Sequence, residues 1–280
     1  MKLITSGCSF SDNCYLAESH PGRWPQALSG LLGVELVNRG QGGAGNDWIS
    51  RSAIYETSKA LREGTPADDL LVLVMWSGML RRSIFVSKTE TANYEQIVNG
   101  NGMTNPASFI DYESTQRNSV EAGWMLGSIT CSYENKRLNE WRDLYNQHFF
   151  TIEGAYIEAL EQMLLLQYFL KKHNIRYVFL TYMDIIHPMS VRNYAKREYS
   201  IDDVTIPQHW PSVRHLWDEL DLDQWLFWQN GKDKTLGLYE YCIDNGLSLE
   251  SDNFHPTVES HRQYAKEFLL PNLSRRFQIP

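Results

Sequence analysis

An α/β chain built on a mostly parallel sheet is what this sequence predicts. Three observations carry that expectation. Short runs rich in Val, Ile and Leu recur at residues 2–5, 34–38, 70–76 and 176–182. The stretches between them place apolar residues at helical spacing. The run at 70–76 is apolar throughout, the pattern of a strand covered on both faces. Alternating strand and helix units need crossovers, and crossovers put helices on both faces of a parallel sheet.

The elements follow in order. Leu3 and Ile4 mark the first strand, which runs into GCSFS at 7–11. A helix is expected at 24–32, with Trp24, Ala27, Leu28, Leu31 and Leu32 along one side. The strand at 34–38 leads into NRGQGG at 38–43. The next helix, 47–61, presents Trp48, Ile49, Ala53, Ile54 and Ala60, and the third strand occupies 70–76. A long helix begins at Thr151, striped by Tyr156, Leu160, Met163, Leu166 and Leu170, and the strand at 176–182 follows it. Beyond DNFH at 252–255, Pro256 suits the first turn of a last helix carrying Val258, His261, Ala265 and Phe268 on one face. Two polar stretches, about 83–150 and 184–247, break the alternation. Each is rich in Asn and aromatics without the composition of a linker or repeat. They read as insertions over the carboxyl edge of the sheet, where parallel sheets gather their ligands, within one domain spanning 1–280.

Composition narrows the function classes. With 26 basic and 34 acidic residues the net charge is −8, and no block of Lys and Arg offers a sequence-independent grip on nucleic acid. The longest apolar runs, near 70–76 and 163–166, are too short to cross a bilayer. The opening MKLITSGCSFSD turns polar after four residues and lacks the apolar core of a secretory leader. Cys8, Cys14, Cys131 and Cys242 form neither a CxxC nor a dense disulfide spacing, which fits reduced thiols in a cytosol. The expectation is a cytoplasmic protein without membrane or nucleic-acid partners. A place on a virus particle and the oligomeric state stay open.

Three motifs offer the parts of an acyl-transfer site. Ser9 is a candidate nucleophile, since Gly7 permits a sharp turn that lifts the hydroxyl off the sheet edge; the plain alternative is a turn serine. Ser6 ends the strand, Ser11 lies past the turn, and Cys8 should point the opposite way from Ser9. A hydroxyl needs a base at neutral pH. His255 is the candidate, with Asp252 in the same short turn to orient the ring; the alternative is a surface turn with a capping acid. The glycine turn offers free N–H groups, with positive φ expected there. It also contains GQGGAG, a formal match to the dinucleotide fingerprint, but another βα unit precedes it and Glu63 falls near a helix end. His261, one turn into the last helix, reads as a packing or surface residue, and the remaining histidines form no metal-ligand spacing.

With Ser9, the glycine turn and the Asp-x-x-His in this order, the chain resembles the SGNH (GDSL-type) hydrolases. GCSFS is similar to the first block of that family, NRGQGG to the second and DNFHP to the fifth. The resemblance implies a three-layer α/β/α sandwich with a flavodoxin-like, mostly parallel five-stranded sheet. It implies a serine esterase without a cofactor or metal, using Ser9, Asp252 and His255, with Gly43 as backbone oxyanion donor. One block departs. After the third strand the family carries G-x-N-D, whereas this chain reads VMWSGMLRR. Ser77 or Asn46 is expected to supply the missing oxyanion donor. Arg81 is expected to meet an anionic substrate group or a partner in the first insertion. Trp210, Trp217, Trp225 and Trp228 fall in the second insertion, and the last three are at helical spacing. They read either as a packed helix face or as a platform on which Trp210 and Trp225 stack a sugar. The expected substrate is therefore an O-acyl ester, an O-acetylated glycan before a lipid. The alternative is a catalytically silent glycan- or partner-binding protein on the same fold.

Overall fold

The computed structural model describes residues 1–12, 22–87, 109–110, 122–128, 136–185, 210–229, 235–252 and 254–278. Cys14, Cys131, His20, His187 and His209 lie outside them.

The main sheet is parallel and ordered β2-β1-β3-β7, from β1 (Lys2–Gly7), β2 (Glu35–Gly40), β3 (Leu70–Trp76) and β7 (Arg176–Thr181). Ile4 aligns with Val37 on one side and Val72 on the other, and Val74 with Phe179. Every residue of β3 is buried, as a fully apolar run demands of a central strand. Two groups of helices enclose the sheet. In one, α1 (Trp24–Leu32) packs on the C-terminal segment. In the other, α2 (Asn46–Arg62) packs on α4 (Ile152–Lys172), which carries α5 (Pro211–Asp218). This is an α/β/α sandwich. Four strands form its sheet among the described residues. The fifth place, beyond β7, is held by a single parallel bridge between Phe179 and Trp225, with Leu226 N donating to Phe179 O at 2.9 Å.

The expected stripe of α4 is buried, and Thr151 caps the helix by accepting from Gly154 N at 2.9 Å. The final helix begins later than Pro256. Thr257 is its N-cap, accepting from Ser260 N at 3.3 Å, while Pro256 bridges Leu249. The segment runs as α7 (Val258–Gln263), a π turn (Tyr264–Leu269) and α8 (Leu270–Phe277). Pro271 lacks an N–H and its ring crowds the preceding turn, which a wider π turn relieves.

The first polar stretch opens with β4 (Arg81–Ser87), directly after β3. It joins β5 (Phe109–Ile110) and β6 (Ala122–Ser128) in an antiparallel sheet ordered β4-β6-β5, and α3 (Lys136–His148) follows. Asp47, at the start of α2, anchors β4 through both carboxylate oxygens, each 2.8 Å from Ser83 N. Arg82 holds the other side, 2.5 Å from Glu158 on α4 and bonded to the Tyr145 hydroxyl.

The tryptophans of the second polar stretch do not share a helix. Buried Gln167 on α4 donates to Glu219 O at 2.9 Å and accepts from Asp221 N at 2.8 Å, which ends α5 just after Trp217. Trp225 and Trp228 then lie on extended backbone. Trp225 is 4% exposed, stacked on Phe227 and edge-on to Phe179, so it belongs to the core beside β7 and not to a sugar platform. Trp228 donates to Asp244 at 2.7 Å and packs on Tyr241 of α6 (Leu238–Asp244). Trp210 is half-buried, edge-on to Tyr156 of α4.

Candidate active site

β1 and β2 end side by side at the carboxyl edge of the sheet, and their following turns interlock. Ser11 N donates to Cys8 O at 2.8 Å, closing a turn that carries Ser9 at its second position. Gly7 serves this turn by its size and not by positive φ: a Cβ there would lie 2.3 Å from Ser11 Oγ. Gly40 is small for the same reason, its Cβ position being 2.5 Å from Ser11 backbone. Asn38 stitches the two together. Its amide donates to Ser11 O at 2.8 Å, and its oxygen accepts from Thr5 Oγ1 and Gly40 N, each at 2.9 Å. Trp24 Nε1 donates to Ser11 Oγ at 3.1 Å, fixing the turn against α1. Cys8 is fully buried in the core.

The third turn comes from the far end of the chain. Asp252 Oδ1 accepts from the backbone N–H groups of Phe254 and His255, each at 2.9 Å, so the carboxylate organises its own turn. Its Oδ2 meets His255 Nδ1, and His255 Nε2 lies 2.8 Å from Ser9 Oγ. The structure thus brings Ser9, His255 and Asp252 together across nearly the whole length of the chain. Ser9 and His255 are 3% and 5% exposed.

Burial holds the His255 imidazole below its ordinary pKa. Asp252 opposes that effect, while the charges of Arg23 and Arg81 add to it. For Asp252, burial raises the pKa, but the bonds from the His255 ring and from two backbone amides outweigh it, and the carboxyl lies below its usual range. A neutral ring whose Nδ1–H is held by a carboxylate leaves Nε2 as an acceptor for the Ser9 proton. Phe10 and Phe254 flank His255, their ring centroids 4.9 and 5.1 Å away, and Tyr182 meets both phenylalanines. The Arg81 guanidinium lies over the Tyr182 ring, 5.5 Å from its centre.

The glycine turn supplies backbone donors. Ala44 N bonds Gln41 O at 3.1 Å, and Gly43 has φ 79°, a type II arrangement that needs glycine. Gln41 N bonds Gly7 O at 2.9 Å and ties this turn to β1. Among the described residues no hydrogen bond engages the N–H of Ser9 or Gly43. Gly42 N, in contrast, donates to Asp12 Oδ2 at 2.7 Å. A carboxylate there would repel a pyrophosphate, which argues against the dinucleotide reading.

Asn46 and Ser77 meet at the turn after β3. Asn46 is clamped on the turn after β3: its oxygen accepts from Ser77 N at 2.9 Å, and its amide donates toward Ser77 O and Gly78 O at 3.3 and 3.5 Å. That geometry holds backbone and commits the carboxamide. Ser77 Oγ is fully buried and has no hydrogen-bond partner among the described residues. His261, set aside in the sequence as packing, is fully buried and 3.1 Å from Arg23 Nη1; burial keeps its ring neutral.

Sequence reasoning missed Asp12, Arg23, Asn38 and the aromatic flank. Asn38 opens the second motif and Asp12 directly follows the first, and those places were the available signal. Arg23, just before a helix, carried none, because an arginine there is ordinarily solvated. No helix among the described residues is long and apolar enough to cross a membrane. No group of three or more His, Cys, Asp or Glu among them is placed to hold a metal.

A model of a family of unknown function (DUF6071) matches residues 11–120, well under half of the chain. No curated protein matches. Among solved structures, an acetyl xylan esterase from the rumen bacterium Butyrivibrio proteoclasticus is similar at 14% identity and a TM-score of 0.36. That similarity covers all of this chain and 65% of the other, so the chain spans less than two thirds of that structure's length. These likenesses are too distant to assign a role to any residue.

Proposed function

We propose that this chain is a serine esterase of SGNH type that hydrolyses an O-acyl ester. The observation that carries the reading is the 2.8 Å contact of Ser9 Oγ with His255 Nε2, with Asp252 on the opposite ring nitrogen. Ser9 attacks the acyl carbon while His255 Nε2 takes its proton. The negative charge that builds on the carbonyl oxygen is met by the N–H groups of Ser9 and Gly43. Collapse of the intermediate returns the proton from His255 to the leaving alcohol. Water, deprotonated by the same nitrogen, then releases the acid and restores Ser9.

A nearly buried hydroxyl ringed by Phe10, Phe254 and Tyr182 favours a short acyl group, acetyl above all. The alcohol is read as a carbohydrate hydroxyl from the polar character of the two insertions. On this reading residues 1–280 form one domain, with the insertions over the sheet edge, and Arg81 beside Tyr182 is placed to meet an anionic group where a substrate carries one, not a neutral ester. One observation favours the silent binder as a second reading. The Asn46 amide is committed to backbone, and loss of one oxyanion donor costs about 10²–10³ in rate.

The deciding experiment is hydrolysis of a chromogenic acetyl ester, together with fluorophosphonate labelling, in wild type and Ser9→Ala. Turnover and labelling that both vanish in the variant are expected. A wild type that neither labels nor turns over any ester would leave the binder.

A further inference from the structure

Asp12 has no part in the steps above, yet it is 3% exposed and its carboxylate accepts from a backbone amide of the glycine turn, Gly42 N, at 2.7 Å. Burying a carboxylate is costly unless it is paired and hydrogen-bonded. Arg23, itself 4% exposed, supplies positive charge nearby, and Asp12 leads the acidic groups whose charge acts on it. Arg23 is in turn held by the neutral ring of His261, 3.1 Å away. The bond that reaches the turn carrying Gly43 is thus the one from Gly42 N to Asp12, with the Arg23 charge behind it.

The turn itself shows what that bond can do. Gln41–Ala44 is closed at 3.1 Å with Gly43 at φ 79°. Type I and type II turns share their end residues and differ by rotation of the central peptide. In this turn the central peptide joins Gly42 to Gly43, and its N–H is the oxyanion donor of the proposed mechanism. Two successive glycines leave that peptide free to rotate. A bond to Gly42 N fixes the residue on which it pivots.

We propose that Asp12 is a positioning residue for the oxyanion donor. Through its bond to Gly42 N, it holds the glycine turn in the type II form that presents the Gly43 N–H to the carbonyl oxygen of the substrate. Arg23 also neutralises the carboxylate, so that a fixed anion close to the forming oxyanion does not repel it. This inference rests on the esterase reading, and the experiment separates the two.

Turnover is measured on an acetyl ester and counted per Ser9 labelled by a fluorophosphonate, so that misfolded protein drops out. Asp12→Ala should lower kcat at least 10-fold with KM changed less than about 3-fold, the signature of an interaction that acts in the transition state. Asp12→Asn keeps an acceptor for Gly42 N and should recover most of kcat. Proline favours the second position of a type II turn, and the alanine variant leaves room for its ring. Adding Gly42→Pro to Asp12→Ala should therefore raise kcat again. If the alanine variant yields no folded protein, Asp12→Ser, too short to reach Gly42, carries the same test. Wild-type kcat per labelled site in Asp12→Ala would overturn the proposal, as would an asparagine variant as slow as alanine. Absence of wild-type turnover would overturn the esterase reading and this inference with it; normal wild-type turnover with an indifferent Asp12 would overturn this inference alone.

Discussion

β1 and β3 are neighbours in register and end at the same edge of the sheet, yet their ends treat backbone donors in opposite ways. After β1 the turns are pinned by their flanks: Asn38 on Ser11 O, Gln41 N on Gly7 O, Asp12 on Gly42 N. Among the described residues nothing engages the amides of Ser9 and Gly43. After β3 the first amide, Ser77 N, is consumed by Asn46 Oδ1, and Arg81 N bonds Gly78 O at 3.0 Å to start β4. One strand end spends side chains to keep amides available. The other spends its amides to launch an insertion. On the esterase reading, the oxyanion is met from the β1–β2 side, because the Asn46 carboxamide is bonded to the turn after β3.

The largest expected effects test the β1 side. Ser9→Ala and His255→Ala should each remove about 10⁴–10⁶ of kcat, and the double variant should cost little more, because the groups act as a unit. Measuring kcat for the singles and the double decides it. Near-normal turnover in Ser9→Ala with loss in Cys8→Ser would move the nucleophile to the thiol, against the burial of Cys8.

Asn46→Ala tests the β3 side. It leaves the buried Ser77 N–H and Ser77 O without their partner, so stability should fall by about 1–3 kcal/mol in a denaturant titration. Activity per labelled site should fall less than 10-fold. A loss of 10² or more with unchanged stability would mean that the amide serves the oxyanion after all, and the contrast between the strand ends would collapse.

Ser77→Ala is expected to do less. Its hydroxyl is buried without a partner among the described residues, and removing such a group leaves stability unchanged or raised by up to about 1 kcal/mol. The readout that matters is kcat. A fall of 10² or more would make this hydroxyl the replacement donor, reaching in from β3 where the backbone does not.

How much of this was legible follows the same divide. The β1, β2 and β3 strands and the α4 stripe declare themselves because burial imposes a local period. Ser9, His255 and Asp252 could be picked out because a family resemblance ordered them. The 2.8 Å contact between Ser9 and His255 joins residues 246 apart, and no local pattern encodes it. The Asn46 clamp is not legible in sequence, because one carboxamide serves a backbone clamp as readily as an oxyanion and sequence does not say which way it turns. The tryptophans misled for a related reason. The interval from Trp217 to Trp228 fits a helix, but Gln167 on α4 captures the backbone at Glu219 and Asp221 and ends the helix between them. Tertiary hydrogen bonds overrode a local period.

The smallest expected effect couples the two strand ends. Arg81 begins the insertion on the β3 side, yet its charge acts on His255 on the β1 side. As general base, His255 works only when neutral, so kcat/KM should rise with pH through the His255 pKa and then level off. Burial, helped by Arg23 and Arg81, sets that pKa below the ordinary 6.5, so the plateau should already be reached in mildly acidic solution. Replacing Arg81 by Gln removes one positive neighbour and makes protonation easier. The acid limb of the profile should therefore move to higher pH, with the plateau kcat on a neutral acetyl ester little changed. A limb that stays in place would mean that the two strand ends are electrostatically separate. A plateau that falls as well would mean that Arg81 touches the substrate, and the β3 side would then contribute recognition where the β1 side contributes chemistry.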